Sequence, residues 1–175
     1  ACAFCSSLTN GTIPNGVTSI GASAFEYCHS LTSATIPDSV TSIGGSAFRG
    51  CSRLTNITVA AANPVHSSLN GVLFNKAQTT LIQFPCGRDG SYVVHSSVTS
   101  IPSAAFANCA KLTSVAIPDS VTNMGNYAFQ ICSSLTNVVI GNGVTTIRDS
   151  TFLNCTSLTS VTIPNNVTSI EDGAF

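Results

Sequence analysis

Eight cysteines, three histidines and seven acidic side chains are the residues of this 175-residue chain whose types suit chemistry. Cys5, Cys28, Cys51, Cys109, Cys132 and Cys155 follow one another at steps of 23 residues, widened to 58 between Cys51 and Cys109. Thiols could ligate a metal, pair, or simply stack. A zinc site needs further ligands, and the one C-x-x-C, Cys2 to Cys5, has no second pair or histidine spaced to complete it. His29, His66 and His95 lie in no H-E-x-x-H spacing. Asp38 and Asp119 share a turn position, where a carboxylate satisfies backbone N–H groups; their recurrence reflects a repeat, not an acid/base pair. No G-x-S-x-G elbow and no phosphate-binding glycine loop is present. These residues point to no catalytic group, metal or cofactor, and so to a protein that is not an enzyme.

The spacing of the cysteines belongs to a wider pattern. Phe25, Phe48, Phe106, Phe129, Phe152 and Phe175 repeat with the same steps, as do Leu31, Leu54, Leu112, Leu135 and Leu158. Further columns run through Ile13, Ile36, Val94, Ile117, Ile140 and Ile163, and through Val17, Val40, Val98, Val121, Val144 and Val167. A fixed period of this length is the signature of a solenoid, whose coils bury their apolar faces only against their neighbours. The ladder cysteines are then expected to stack inside as small apolar thiols, their parallel Cβ vectors opposing disulfide formation.

Within residues 112–134, Val115 and Ile117 mark a short strand with both side chains inward, and Pro118 ends it. Val121 and Met124 begin a second extended piece, and Gly125 permits a tight turn. Ala128, Phe129 and Cys132, at i, i+1 and i+4, suit one turn of helix.

Residues 60–93 break the register. Val72–Phe74 and Leu81–Phe84 flank Asn75–Thr80 and read as a β-hairpin, with His66, Lys76 and Arg88 as polar decoration. Insertions in solenoids map to one face and often bind. Two further rows consist of threonine: Thr9, Thr32, Thr55, Thr113, Thr136 and Thr159 follow the ladder Leu, and Thr18, Thr41, Thr99, Thr122, Thr145 and Thr168 the ladder Val. Such rows resemble ice-binding surfaces of some β-solenoids, but strand propensity and cross-strand pairing explain them as well.

The repeat L-T-S-V-T-I-P-x-x-V-T-S-I-x-x-x-A-F-x-x-C, clearest over Leu158–Phe175 and Leu31–Cys51, resembles the BspA-type leucine-rich repeat. The resemblance covers nearly the whole chain. It implies an α/β leucine-rich-repeat solenoid, strand-rich, with a parallel concave β-sheet, short second strands, one-turn helices and one hairpin insertion. It also implies a secreted or surface protein, with adhesion to matrix proteins or cells among the family's roles and no catalytic residues. The whole of 1–175 is expected to form one solenoid, cut within repeats at both ends.

Charged residues are 7% of the chain and the net charge is −1. That excludes the basic stripe that nucleic acid requires. No apolar run reaches the length of a membrane helix. Ser and Thr total 46 residues, so the polar surface consists of neutral hydroxyls, which favour hydrogen bonding and shape matching. Alternation along the first strand sends Ser33, Thr35, Asn56, Thr58, Ser114, Ala116, Asn137, Val139, Ser160 and Thr162 outward, on the face expected to be concave. These residues, with His66, Lys76 and Arg88 of the insertion, are the candidate contacts to a protein (extracellular-matrix or cell-surface) or glycan. The alternative is a structural spacer or self-assembling array, because open ladder ends favour end-to-end association.

Overall fold

The computed structural model describes residues 3–175, so Cys2 of the C-x-x-C lies outside the described residues. The first part runs β1 (Asn10–Thr12), β2 (Ser19–Ile20), β3 (Ser33–Ile36), β4 (Ser42–Ile43) and β5 (Asn56–Val59). The insertion supplies β6 (His66–Leu69), β7 (Val72–Asn75) and β8 (Leu81–Gln83). The remainder is β9 (Gly90–Val93), β10 (Ser100–Ile101), β11 (Leu112–Ala116), β12 (Asn123–Met124), β13 (Asn137–Val139), β14 (Thr146–Ile147), β15 (Ser160–Thr162) and β16 (Ser169–Ile170). First strands stack in parallel as β1-β3-β5 and β9-β11-β13-β15, and second strands stack in parallel as β2-β4, β10-β12 and β14-β16.

The expected one-turn helices do not form; among the described residues there is no helix. The segment that carries the ladder Phe is an arc of successive turns. Ala24, Glu26 and Cys28 N–H donate back to the carbonyls of Gly21, Ser23 and Phe25 at 3.3, 3.1 and 3.2 Å. The alternate donors Ser23, Phe25 and Tyr27 reach the next coil, at Gly45, Ala47 and Arg49 O, over 3.1, 2.8 and 2.8 Å. Ser23 and Tyr27 hold φ of 54° and 55°, and their repeat equivalents Ser46, Ala104, Tyr127, Ser150, Phe4, Asn108, Ile131 and Asn154 are left-handed too. A helix would turn every N–H inward. Nucleating one turn costs more than it returns, whereas the arc sends half its donors to a neighbour.

The core is the set of stacked columns. Phe106 and Phe129 lie 4.6 Å apart between ring centroids, Phe129 and Phe152 5.4 Å, and Phe25 and Phe48 5.3 Å. The threonine rows form the corners. Thr32, Thr55, Thr136 and Thr159 each send both backbone N–H and Oγ1 to the carbonyl of the threonine one coil earlier, the hydroxyl distances being 2.9–3.3 Å. Their donors are spent inside the solenoid, which accounts for the rows without an ice surface.

The insertion is a three-stranded antiparallel sheet, β6-β7-β8, not the two-stranded hairpin expected. The extra strand follows from the Asn70-Gly71 turn, with φ of 48° and 77°, the two-residue loop that joins tightly paired strands. A Cβ on Gly71 would come within 2.4 Å of Asn56 Oδ1. The insertion also refills the ladders: Phe84 stacks on Phe106 at 5.0 Å, Thr79 O accepts from Thr99 N–H at 2.8 Å, and Cys86 enters the cysteine column. Leu73 packs into the N-terminal core, and Val72, Phe74 and Leu81 into the C-terminal one.

The expectation that all ladder cysteines are unpaired thiols is corrected. Cys86 and Cys109 form a disulfide with Cα atoms 4.2 Å apart, and Cys5 is disulfide-bonded as well. Cys86 lies in a coil that is not a copy of the repeat, so its Cβ is not held parallel to that of Cys109. Cys51, Cys132 and Cys155 do stack as thiols, each donating to the carbonyl of the ladder Phe one coil back, at 3.0–3.1 Å.

Truncating the fully buried Phe129 to Ala should cost about 3–5 kcal/mol in a denaturant melt, because the column on both sides loses its partner. Thr162→Ala, on the exposed face, should leave the melt within about 0.5 kcal/mol. Ile131, a β-branched residue at φ 59°, shares its column with Asn108 and Asn154. Ile131→Asn should therefore raise stability by about 0.5–1 kcal/mol by relieving left-handed strain, and an unchanged or lower midpoint would contradict the arc geometry.

Candidate functional site

Strand alternation places the outward residues in two rows whose register is fixed by the parallel ladders. One row runs Asn10, Ser33, Asn56 and, across the insertion, Ser91, Ser114, Asn137, Ser160. The second runs Thr12, Thr35, Thr58 and then Val93, Ala116, Val139, Thr162. The residues between them, such as Val115 and Val138, are fully buried and lock each strand to the core. All ten sheet residues singled out from the sequence lie on this one face. Val93, which sequence reasoning left out, is 73% exposed and extends the apolar stretch that Val139, 42% exposed, continues. The signal was available in Tyr92-Val93-Val94, where inward Tyr92 and Val94 leave Val93 outside.

The face is chemically divided. On the N-terminal part, hydroxyls and amides engage one another: Ser33 Oγ donates to Asn10 Oδ1 at 3.3 Å and Asn56 Nδ2 to Thr58 Oγ1 at 2.9 Å. On the C-terminal part, the second row is apolar over Val93, Ala116 and Val139. The tip of the β6–β7 hairpin stands at the boundary, with Gly71 O accepting from Ile57 N–H at 2.9 Å.

The insertion residues are structural ties more than free contacts. Arg88 Nη1 donates to Asn70 O at 2.7 Å and its guanidinium lies 5.8 Å from the Phe84 ring centroid, which fixes the hairpin tip beside the sheet face. Lys76 Nζ donates to the carbonyls of Ala61 and Asn63 at 3.1 and 2.7 Å. His66 is only 5% exposed, against the expectation of a decorating side chain. Asn63, which the sequence did not flag, is fully buried and staples the insertion to the preceding coil. Its Nδ2 donates to Pro37 and Val40 O, both at 2.8 Å, and its Oδ1 accepts from Val65 and His66 N–H at 2.9 and 2.7 Å. Arg88 is thus brought to the sheet face, and Lys76 and His66 to the opposite end of the hairpin.

Among the described residues no three His, Cys, Asp or Glu side chains converge as metal ligands. Burial pushes the Cys51 thiol up to about 12. Cys132 lies well above the ordinary thiol range because Cys155 hydrogen-bonds it and burial disfavours its charge. These sulfurs stay protonated near neutrality and are poor nucleophiles.

The sequence profile of the BspA type leucine rich repeat region matches residues 1–90 and 90–175 in six copies, so the chain belongs to that family. A leucine rich cell surface protein from Faecalibacterium prausnitzii A2-165 is 34% identical, with a TM-score of 0.83 over 98% of this chain and 52% of its own. The chain therefore spans about half the length of that relative. The TpLRR protein of T. pallidum is 25% identical with a TM-score of 0.57, over 93% of this chain and 72% of its own. A leucine-rich repeat protein from Eubacterium ventriosum, 24% identical with a TM-score of 0.64, shares the fold. No functionally curated protein matches the chain.

Burial holds the His66 imidazole below its ordinary pKa. The unfolded chain, titrating near 6.5, then binds protons that the folded chain refuses. Stability is complete above that value and falls as the pH drops below it. Melting temperature measured from pH 7.5 to 5 should decline in the wild type and decline less in His66→Phe; parallel curves would show that His66 protonates freely in the fold.

Proposed function

We propose that this chain is a non-enzymatic binding module of a secreted or cell-surface protein, engaging an extracellular-matrix protein, a cell-surface protein or a glycan through the first-strand sheet face. The observation that carries this reading is the outward apolar row Val93, Ala116 and Val139. It is held in register on a four-stranded parallel sheet and bordered by the hydroxyl and amide row Ser91, Ser114, Asn137 and Ser160. A rigid apolar strip with polar neighbours on one side suits an extended chain or the apolar face of a sugar ring, and ordering costs on the protein side are small because the strands are already fixed. Low net charge directs recognition to shape and hydrogen bonds, not long-range steering.

Two observations support this compartment. The F. prausnitzii relative is a cell surface protein, and the Cys86–Cys109 disulfide suits an oxidising exterior.

The test is a binding screen of the purified chain against immobilised matrix proteins and a glycan array, with Ala116→Arg/Val139→Arg alongside. The expected result is a ligand whose binding falls by about tenfold or more in the variant, the equivalent of about 1.4 kcal/mol. Binding that persists in the variant would move recognition off this face. Absence of binding, with light scattering that shows mass growing with concentration, would favour the self-assembling spacer.

A further inference from the structure

The seam between the Phe48 arc and the insertion is built differently from the junctions between regular coils among the described residues. At the arcs, three alternate N–H groups per coil reach the next coil. Ala104, Phe106 and Asn108 donate to Asn126, Ala128 and Gln130 O at 3.2, 2.9 and 2.8 Å. Tyr127, Phe129 and Ile131 donate to Asp149, Thr151 and Leu153 O at 3.1, 2.9 and 2.9 Å. The equivalent donors of the third arc, Ser46, Phe48 and Gly50 N–H, meet no backbone acceptor among the described residues. The next coil in the column is the insertion, which carries Phe84 and Cys86, and among the described residues its irregular path brings no backbone carbonyl to these three donors. Ala105 O, in the coil beyond the insertion, is taken by Phe84 N–H at 2.9 Å and Gln83 Nε2 at 3.0 Å.

On the same arc the side-chain donor Arg49 Nε is buried without a partner. Arg49 itself bridges the seam, its Nη2 donating to Gln130 Oε1 at 2.8 Å. At this seam lies a cleft of about 280 Å³ whose lining includes Ser46 and Phe48 on one wall and Leu73, Ile82 and Pro102 on the other. No acidic side chain lines it. One wall therefore offers hydrogen-bond donors two residues apart, and the other offers apolar surface.

We propose that this seam cleft binds an extended peptide segment, whose backbone carbonyls take the N–H groups of Ser46 and Phe48, with Gly50 continuing the row. The guest supplies what the next coil supplies elsewhere: carbonyls spaced two residues apart, as Gly45, Ala47 and Arg49 present them to Ser23, Phe25 and Tyr27. A single small anion matches this spacing at one donor only, whereas a peptide matches it at successive ones and sets small apolar side chains against Leu73 and Ile82. The site lies on the arc side and is independent of the sheet face.

The test is titration of the ¹⁵N-labelled protein with acetyl-pentaalanine-amide, followed through backbone amide shifts and hydrogen exchange. Saturable shifts and added protection at Ser46, Phe48 and Gly50, with the sheet-face amides of Val93 and Val139 unmoved, are expected. Gly45 lines the cleft and a Cβ there meets nothing within 4 Å, so Gly45→Leu should fill the cleft and weaken binding by about tenfold or more. Ser103→Trp, at the exposed rim, serves the same purpose should the first variant unfold. Absence of any shift at millimolar peptide would overturn the proposal. So would equal shifts with sodium acetate, which would mark an anion site, or peptide shifts undiminished in a folded cleft variant.

Discussion

Every coil of this protein depends on the next for its backbone hydrogen bonds. The first strands, the threonine corners and the alternate N–H groups of the Phe arcs all direct donors along the solenoid axis, and no coil can satisfy them alone. The rest of the structure answers to that constraint. Phenylalanines stack because the backbone holds coils at one spacing, and left-handed residues recur in columns because only that arc aims alternate donors at the neighbour. Where one arc stacks on the next, the cost of a left-handed non-glycine residue, of order 1–2 kcal/mol, is offset by an inter-coil hydrogen bond and the buried ring it helps to position.

The insertion shows how strict the constraint is. A segment longer than one repeat has to reproduce the ladders at its edges or leave two cores with open ends. It does so with Phe84, Thr79 and Cys86 toward the following coil, and with Leu73, Gly71 and Gly87 toward the preceding one, where Gly87 N–H donates to Leu54 O at 2.7 Å. Buried Asn63 and the ammonium of Lys76 satisfy the carbonyls that the irregular path exposes. Among the described residues the third arc is left unmatched, and there the donors gather.

The binding face is a by-product of the same ladders. Because inward residues lock each strand, outward side chains stand in rows at a spacing of ~4.8 Å, and substitution from Thr to Val or Ala changes the chemistry of the face without changing its shape. The division between a hydroxyl half and an apolar half coincides with the insertion, whose hairpin tip, held by Arg88, stands between them.

The columns at 23-residue steps determined the solenoid, the inward and outward alternation, and the membership of the sheet face, because a period fixes which residues become neighbours whatever the local backbone does. Tertiary structure decided what the period leaves open. Ala128, Phe129 and Cys132 fit one turn of helix in isolation, and only the neighbouring coil's acceptors made the arc preferable. Asn70-Gly71 carried a legible turn signal, but the role of Asn63, the burial of His66 and the pairing of Cys86 with Cys109 depend on where an aperiodic segment crosses the core. The unmatched donors at the seam have no sequence signature at all, since they follow from the path by which the aperiodic segment leaves the third arc.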